Sequence, residues 1–327
     1  MSAPVEVLVH PSCFPDADHA LWQRSFAQRQ IAGRLHYSSH EQCRLWRAVH
    51  DAYAPSRTDL GYGEMLESLH RTAMSFAPSA PFALIGLGCG SGEKEAHLLR
   101  VMEGERRAAQ HYVPLDAGLP LLLLAVQQCR TASPKTLVRP VLADLTALAE
   151  LLPTLSSLAD ASQPRLYTLF GVLPNWEAGD LFQTLASVMR PQDQLLASAN
   201  LLPEDAPRGL DRVLPQYDNP ATHLWLQRLL VDAGMNQDDG RIEFGYETPD
   251  QTGVLRIVAD FIFERPRRLA VAAAHLDCLP GERLRLFFSK RPTRKQVQDS
   301  AQAAGLNVLA SVLLDSKEEM LILCRKG

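Results

Sequence analysis

The alternation of apolar and polar positions changes character twice along the chain. Before Pro81, apolar residues recur at helical spacing in "LWQRSFAQRQIAGRL" and "CRLWRAVHDAYA", which predicts helices and no strand of consequence. After Pro81, short apolar runs alternate with segments of helical length. The predicted strands cover residues 82–88, 111–117, 136–144, 165–172 and 193–202. Strands separated by helices are typical of βαβ units, so this region predicts a parallel sheet.

Residues 203 to about 280 break this alternation. "THLWLQRLLVDAGM" predicts a long helix, and strand-like runs follow in "RIEFGYE", "VLRIVADFIFERPRRLAV" and "GERLRLFFSKR". A helix, "TRKQVQDSAQAAGL", and two strand-like runs, "NVLASVLLD" and "MLILCRKG", then resume the earlier order. We therefore expect an α/β core closed by a C-terminal pair of strands, with a second lobe beside it. The predicted core comprises residues 59–200 and 284–327, and the predicted second lobe comprises residues 1–58 and 201–283.

Length and composition narrow the class of protein. A chain of 327 residues can form two lobes, and 46% hydrophobic with 21% charged residues is ordinary for a globular protein. A formal net charge of -4 offers no general attraction for nucleic acid. The 6 cysteines form no CxxC pair, which gives no zinc or disulfide pattern and favours a reducing cytosol. We find no signal-peptide pattern, and the apolar run 119–126 is too short to span a membrane. We expect a cytoplasmic protein with no membrane or nucleic-acid partner.

The stretch "FALIGLGCGSGEKEAHLL" (82–99) places glycines between a predicted strand and a predicted helix. Glycine lets the backbone approach a ligand closely, and a helix N-terminus offers unpaired N–H groups. The spacing matches neither the GxxxxGK[ST] of a Walker loop nor the GxGxxG of a dinucleotide fold. Glycines at every second position, Gly86, Gly88 and Gly90, fit a ligand with a single nucleoside better, which favours S-adenosylmethionine (SAM). Packing alone also produces such turns.

Two aspartates follow the next two predicted strands. Asp116 ends "YVPLD", where a carboxylate can accept hydrogen bonds from both hydroxyls of a ribose. Asp144 lies in "VLADL" and can accept one from the exocyclic amine of adenine. Each aspartate can instead cap the helix that follows it. Because three consecutive strand ends carry suitable groups, we favour the interpretation as a cofactor site.

Taken in order, "GCGSGEKEAHLL", "YVPLDAG", "VLADL", "LFGVLPNWE" and "QYDNPATHLWLQRLL" resemble the histidine-specific SAM-dependent methyltransferases. In that family, the ergothioneine-pathway enzyme trimethylates the α-amino group of histidine. The resemblance starts at "LHYSSHEQCRLWRAVHDAYAPSR" and ends in the helix that begins with "SKRPTRKQV". It implies a Rossmann-like class I SAM methyltransferase core, with a mostly parallel sheet and an antiparallel C-terminal strand. It also implies a second, α+β lobe that binds the substrate.

The resemblance assigns roles by position. The candidate cofactor-binding residues are Gly86, Gly88, Gly90, Lys94, Asp116 and Asp144. Asn175 and Tyr217 are the candidate catalytic residues, since they match the groups that hold the amino and carboxylate ends of the substrate. Tyr37 and Tyr53 match tyrosines of the substrate pocket. Asn175 could instead be a turn residue beside Pro174, and the tyrosines could be half-buried aromatic residues with wet hydroxyl groups.

Departures from the family pattern fall on the substrate side. Ala54 replaces the second of two tyrosines that help to hold the imidazole, and Phe287 replaces the glutamate that pairs with it, while Ser289 is kept. A buried ring N–H without a partner costs about 1–3 kcal/mol, so these changes disfavour histidine. We therefore predict an amino acid or amino-acid derivative with an apolar or aromatic side chain as the small-molecule substrate.

Three other functions stay open. The chain could be an authentic histidine Nα-methyltransferase, or a non-catalytic member that binds SAM without turnover. A nicotinamide-dependent dehydrogenase is disfavoured by the glycine spacing.

One histidine pair raises the question of a metal site. His36 and His40 lie four residues apart, a spacing that can place two ligands on one face of a helix. Because no third ligand is evident, we predict a solvated helix face and no metal.

Overall fold

The computed structural model describes residues 4–76, 82–105, 109–159, 163–176, 181–206, 208–248, 253–271 and 273–327. The helices are α1 (Pro15–Ala27), α2 (His40–Tyr53), α3 (Pro55–Thr58), α4 (Tyr62–Ser75), α5 (Glu93–Gly104), α6 (Leu119–Ala132), α7 (Leu148–Ser157), α8 (Leu181–Val188), α9 (Arg208–Val213), α10 (Pro220–Asp232) and α11 (Arg294–Ala303). The strands are β1 (Leu8–Val9), β2 (Ala83–Leu87), β3 (His111–Asp116), β4 (Leu137–Val138), β5 (Val141–Leu142), β6 (Arg165–Leu169), β7 (Gln194–Asn200), β8 (Gly240–Glu247), β9 (Leu255–Phe263), β10 (Arg267–Val271), β11 (Ala274–Cys278), β12 (Arg283–Arg291), β13 (Leu306–Leu313) and β14 (Glu319–Lys326).

The larger sheet is built mostly from parallel strands. Its 9 strands lie in the order β1-β5-β3-β2-β6-β7-β14-β13, with β4 beside β3. β2 runs parallel to both β3 and β6, and β6 runs parallel to β7. β14 lies between β7 and β13 and is antiparallel to both. This arrangement confirms the predicted Rossmann-like α/β core with an antiparallel C-terminal strand.

Helices cover both faces of this sheet, as the continuous burial of β2 and β6 requires. On one face, Leu151 of α7, Leu185 of α8 and Val297 of α11 pack around Ile85 of β2. On the other face, α4, α5 and α6 pack around Leu84 of β2. Successive residues of β2 therefore point into two different hydrophobic layers.

A second hydrophobic core lies beside the sheet. Strands β12, β9 and β8 form a 3-stranded antiparallel sheet, and β10 and β11 form a hairpin. Phe26 of α1, Leu229 of α10 and Phe263 of β9 are buried in this core. The α+β composition agrees with that expected for a second lobe.

Several local features differ from the sequence pattern. The predicted strand 136–144 is split into β4 and β5 around Pro140, which has no N–H group for a strand ladder. β11 was not predicted, and β1 is a two-residue strand before Pro81 that pairs with β5. β12 pairs with β9 of the smaller sheet, although residues 284–291 fall in the predicted core segment. The predicted lobe boundaries therefore separate β1 and β12 from the strands with which they pair.

Candidate active site

The strand order of the larger sheet reverses at β2. From β2 the chain adds β3 and β5 on one side, and it then returns to place β6 and β7 on the other side. In open parallel sheets, ligands bind outside the carboxyl ends of the strands at such a point. The glycine loop after β2, Asp116 at the end of β3 and the turn Leu173–Asn175 after β6 all lie at this edge.

The glycine loop requires residues without a side chain. Gly88 and Gly90 have φ angles of 63° and 54°, in the left-handed region. A Cβ atom on Gly88 would lie 2.7 Å from Cγ2 of Val172, and one on Gly90 would lie 3.1 Å from the Trp46 ring. Gly86 lies inside β2, where a Cβ atom would lie 3.3 Å from the hydroxyl oxygen of Tyr112. At these glycines, the absence of a side chain lets the backbone approach a ligand closely, as binding of a nucleoside cofactor requires.

Asp116 is held at the edge of this loop. Its two carboxylate oxygens accept hydrogen bonds from the backbone N–H groups of Gly90 and Gly118, each at 2.8 Å. Burial raises the pKa of this carboxyl group, and the backbone N–H donors act in the opposite direction. Each carboxylate oxygen keeps a further lone pair, so the residue can accept hydrogen bonds from ribose hydroxyls without losing its own contacts. The donor set therefore fits the nucleoside part of SAM.

Asp144 has partners within the protein. One oxygen accepts a hydrogen bond from the backbone N–H of Thr146 at 2.8 Å, and thus caps the short 3-10 helix Leu145–Ala147. The other oxygen lies 3.3 Å from Nε of Arg34. The capping role is therefore present in the structure, and the contact with adenine stays a prediction.

Lys94 lies at the start of α5, behind the glycine loop. Its ammonium group is 5.6 Å from the ring centre of Tyr62 and 5.5 Å from that of Phe170. Both distances are suitable for cation–π contact. Lys94 therefore provides a positive charge beside the loop, and its contact with the cofactor stays a prediction.

Tyr217 lies at the candidate substrate site, where it contacts residues of both sheets. A bulge between Arg285 and Phe287 shifts the register of β12 against β9. After the bulge, Phe287, Ser289 and Arg291 share one face of the strand, because alternate residues point the same way. Tyr217 contacts all three residues. Its ring lies 5.9 Å from that of Phe287, and its hydroxyl lies 3.1 Å from Oγ of Ser289 and 2.5 Å from Nη2 of Arg291. The structure thus brings the predicted residues Tyr217, Phe287 and Ser289 together.

Aromatic side chains continue this surface toward the glycine loop. Phe287 lies 5.9 Å from Trp225 of α10, and Trp225 lies 6.1 Å from Tyr37. Tyr37 in turn lies 5.8 Å from Trp46, whose ring is next to Gly90. We call Tyr217, Phe287, Trp225, Tyr37 and Trp46 the aromatic wall. It connects the predicted substrate residues with the predicted cofactor loop.

Asn175 contacts the backbone of β12. Its side-chain amide donates a hydrogen bond to the backbone oxygen of Phe288 at 2.6 Å. This bond leaves the side-chain oxygen of Asn175 available as an acceptor for a ligand. Asn175 also ends a short 3-10 helix after Pro174, so it is a turn residue as well as a candidate for substrate contact.

Tyr53 and Ala54 lie at the C-terminal end of α2. Among the residues that the structure describes, neither takes part in the ring contacts of the aromatic wall. Their predicted role in the substrate pocket stays a prediction. Trp46 and Trp225, which the sequence did not single out, join the wall from α2 and α10.

The expectation of a solvated helix face around His36 is wrong. His36 is 2% exposed and precedes α2, with Nε2 at 2.8 Å from the backbone oxygen of Leu286. Burial lowers the pKa of His36 to about 4. The ring is therefore neutral at pH 7 and supports the bulge of β12.

A different group of potential metal ligands occurs beside the glycine loop. Ligand atoms of His50, Asp51 and Glu93 lie within 4.8 Å of one another. Arg57 pairs with both carboxylates, at 3.0 Å from Asp51. Burial, together with the nearby charges of Lys94 and two arginines, lowers the pKa of His50 to about 3. Since Arg57 pairs with both acids and Arg47 lies 3.6 Å from Asp51, we interpret the group as an ion-pair network.

Two solved structures resemble this chain over most of its length. A SAM-dependent methyltransferase from Clostridium acetobutylicum ATCC 824 is 12% identical, with 87% of this chain and 98% of that chain covered and a TM-score of 0.47. Magnesium protoporphyrin IX methyltransferase from Synechocystis PCC 6803, determined with bound S-adenosylhomocysteine (SAH), is 9% identical, with 89% and 97% covered and a TM-score of 0.48. Because these similarities are low, the assignment of the fold rests on the strand order described above.

Among the described residues, no helix has the length and apolar character needed to cross a membrane. No curated protein sequence matches the chain significantly. The sequence model of a family described as "Histidine-specific methyltransferase, SAM-dependent" matches residues 50–326. Because this match covers most of the chain, the protein belongs to the histidine-specific SAM-dependent methyltransferase family and uses SAM as its methyl donor.

Proposed function

We propose that the protein methylates the α-amino group of an amino acid, or of an amino-acid derivative, whose side chain is apolar or aromatic. The observation that carries this proposal is the position of Phe287. Its ring contacts Tyr217 and Trp225 in the aromatic wall, at the place where the family pattern has a glutamate. A phenyl ring offers no acceptor for an imidazole N–H, whereas aromatic side chains pack well against one another.

The reaction needs little besides geometry and a neutral amine. Bound SAM would supply an electrophilic methyl group, with the Gly88–Gly90 loop, Asp116 and Asp144 as the residues that would hold it. The nitrogen must approach to about 3–3.5 Å, so most of the task is orientation. Asn175 and Tyr217 would hold the amino and carboxylate groups of the substrate. The aromatic wall would fix the side chain and exclude water from the amine.

The test is methyl transfer from labelled SAM to separate free amino acids, with product analysis by tandem mass spectrometry. We expect a label on the α-nitrogen of phenylalanine, tyrosine, tryptophan or leucine, with kcat/KM at least tenfold above that for histidine. Tyr217→Phe tests the role of the hydroxyl group, since it keeps the ring and removes only the hydroxyl. It should raise KM more than it lowers kcat.

Two outcomes would contradict the proposal. Histidine as the best substrate would mean that the protein is an authentic histidine Nα-methyltransferase, as the description of its family suggests. Tight binding of SAH without methyl transfer to any amino acid would favour a non-catalytic member.

A further inference from the structure

Arg291 is a buried charge without a counterion among the residues that the structure describes. This residue is only 2% exposed. One guanidinium nitrogen donates to the backbone oxygen of Leu201 at 3.4 Å, and another donates to the hydroxyl of Tyr217 at 2.5 Å. Its Nε has no hydrogen-bond partner, and no carboxylate among the described residues pairs with it. Arginine is almost never fully buried unless it is paired, because an uncompensated buried charge is costly.

Two other arginines with mostly buried side chains have acidic partners. Arg285, on the same strand β12, pairs with both Asp260 and Glu247. Arg34 pairs with Asp18 and Asp144. Among the described residues, Arg291 lacks the acidic partner that these two arginines have.

The contacts of Arg291 connect it to Tyr217 of the candidate site. The guanidinium carbon lies 5.2 Å from the centre of the Tyr217 ring, in addition to the hydrogen bond with its hydroxyl. The Tyr217 oxygen also accepts a hydrogen bond from the side-chain amide of Asn200 at 3.4 Å. With both acceptor positions occupied, the hydroxyl proton must point toward another acceptor, either Ser289 or a ligand.

We propose that Arg291 determines specificity for a carboxylate on the substrate, and that it acts through Tyr217. Its positive charge polarises the Tyr217 hydroxyl, which makes that group a stronger donor to an anion. A carboxylate beside Tyr217 supplies the negative charge that the described part of the chain does not provide there. This inference rests on the proposed function. It assigns recognition of the carboxylate charge to Arg291, which lies behind Tyr217 and does not itself contact the substrate.

The experiment measures binding of L-phenylalanine and L-phenylalaninamide to the protein saturated with SAH, by isothermal titration calorimetry. L-tyrosine and L-histidine, each with its amide, complete the set. The wild type should bind the preferred acid at least tenfold more tightly than its amide. Arg291→Met should reduce this ratio below threefold, because it weakens binding of the acid and leaves binding of the amide unchanged.

Three further variants separate charge from structure. Lys290→Met removes a positive charge from the adjacent position, on the other face of β12, and should keep the wild-type ratio. Arg291→Lys keeps the charge and should retain a ratio above threefold. Arg291→Gln should behave like Arg291→Met, and it serves as the neutral variant if the methionine protein does not fold. SAH affinity should change less than twofold in every variant.

The inference is overturned if the wild type binds acid and amide equally or binds neither. A ratio above tenfold in both neutral variants also overturns it. A loss of SAH affinity in Arg291→Gln and Arg291→Met would assign the arginine to the cofactor instead. If the acid–amide ratio follows the charge at position 291 but no amino acid is methylated, the proposed function fails and the inference stands.

Discussion

Replacement of Phe287 by glutamate should redirect the protein toward histidine. Phe287 lies on the face of β12 that meets Tyr217, and its ring also contacts Trp225. A glutamate at this position would return the acceptor that the family pattern places there. The backbone of β12, including the bulge supported by His36, should not need to change.

The size of the effect follows from the hydrogen bond that histidine would form and the mismatch that phenylalanine would meet. A hydrogen bond between an imidazole N–H and a carboxylate contributes about 1.5–3 kcal/mol. A carboxylate left without a partner against an apolar side chain costs about 1–3 kcal/mol. Together these terms change the preference for histidine over phenylalanine by at least about 2.5 kcal/mol, or about 60-fold in the ratio of kcat/KM. Removal of the Phe287 ring from its two aromatic neighbours should also lower the free energy of unfolding by about 1–3 kcal/mol.

The assay compares methyl transfer to L-histidine and L-phenylalanine by the wild type, Phe287→Glu and Phe287→Gln. The glutamine variant has nearly the same shape as the glutamate variant but no charge, so it should show a smaller change. A ratio within threefold of the wild-type value for Phe287→Glu, in a protein that still binds SAH, would refute the reasoning. It would mean that the substrate side chain does not lie against the aromatic wall.

Three further predictions concern the cofactor loop and stability. Asp116→Asn should weaken SAH binding by about 10- to 100-fold, because an amide nitrogen accepts no hydrogen bond; a change below twofold in calorimetry would contradict this. Gly90→Ala should lower the free energy of unfolding in urea by about 1–2 kcal/mol, since its left-handed φ of 54° disfavours a side chain, and Trp46→Leu should recover part of this. His36 has a pKa of about 4 when folded against 6.5 for the free side chain, so the folded state binds fewer protons between these values. Stability should therefore fall as the pH is lowered from 6.5 to 4, by up to about 3 kcal/mol from this group, and His36→Gln should show a smaller fall in urea titrations.

The core was predictable from the sequence because its signals are local. Apolar runs of strand length, such as the one that forms β2, alternate with helical patterns, and this alternation leads to a parallel sheet. The glycines after β2 mark a turn that excludes side chains, and the structure gives the reason in the close approach of Val172 to Gly88. The family match covers the same region.

The arrangement of the substrate site was only partly predictable. Tyr217 and Phe287 are far apart in the chain, and they meet because the bulge in β12 turns Phe287, Ser289 and Arg291 toward one face. A bulge adds one residue to a strand without a strong local signal, so the sequence pattern did not reveal it. Trp46 and Trp225 also lie on helices whose apolar faces resemble any core-facing helix.

Arg291 illustrates a second limit. In the sequence it belongs to "SKRPTRK", which resembles a solvated basic loop. Only the structure shows that this arginine is buried beside Tyr217 without an acidic partner among the described residues, while Arg294 and Lys295 form exposed hydrogen bonds. Burial depends on which elements pack over a residue, and composition does not contain that information.

A crystal structure with SAH and the preferred amino acid tests the central claim most directly. We predict that the Asp116 carboxylate accepts hydrogen bonds from both ribose hydroxyls, and that the sulfur faces the α-nitrogen of the amino acid. The carboxylate of the amino acid should lie at Tyr217, and its side chain should lie against Phe287 and Trp225. An amino acid bound away from the aromatic wall, or with its α-nitrogen pointing away from the sulfur, would contradict the account.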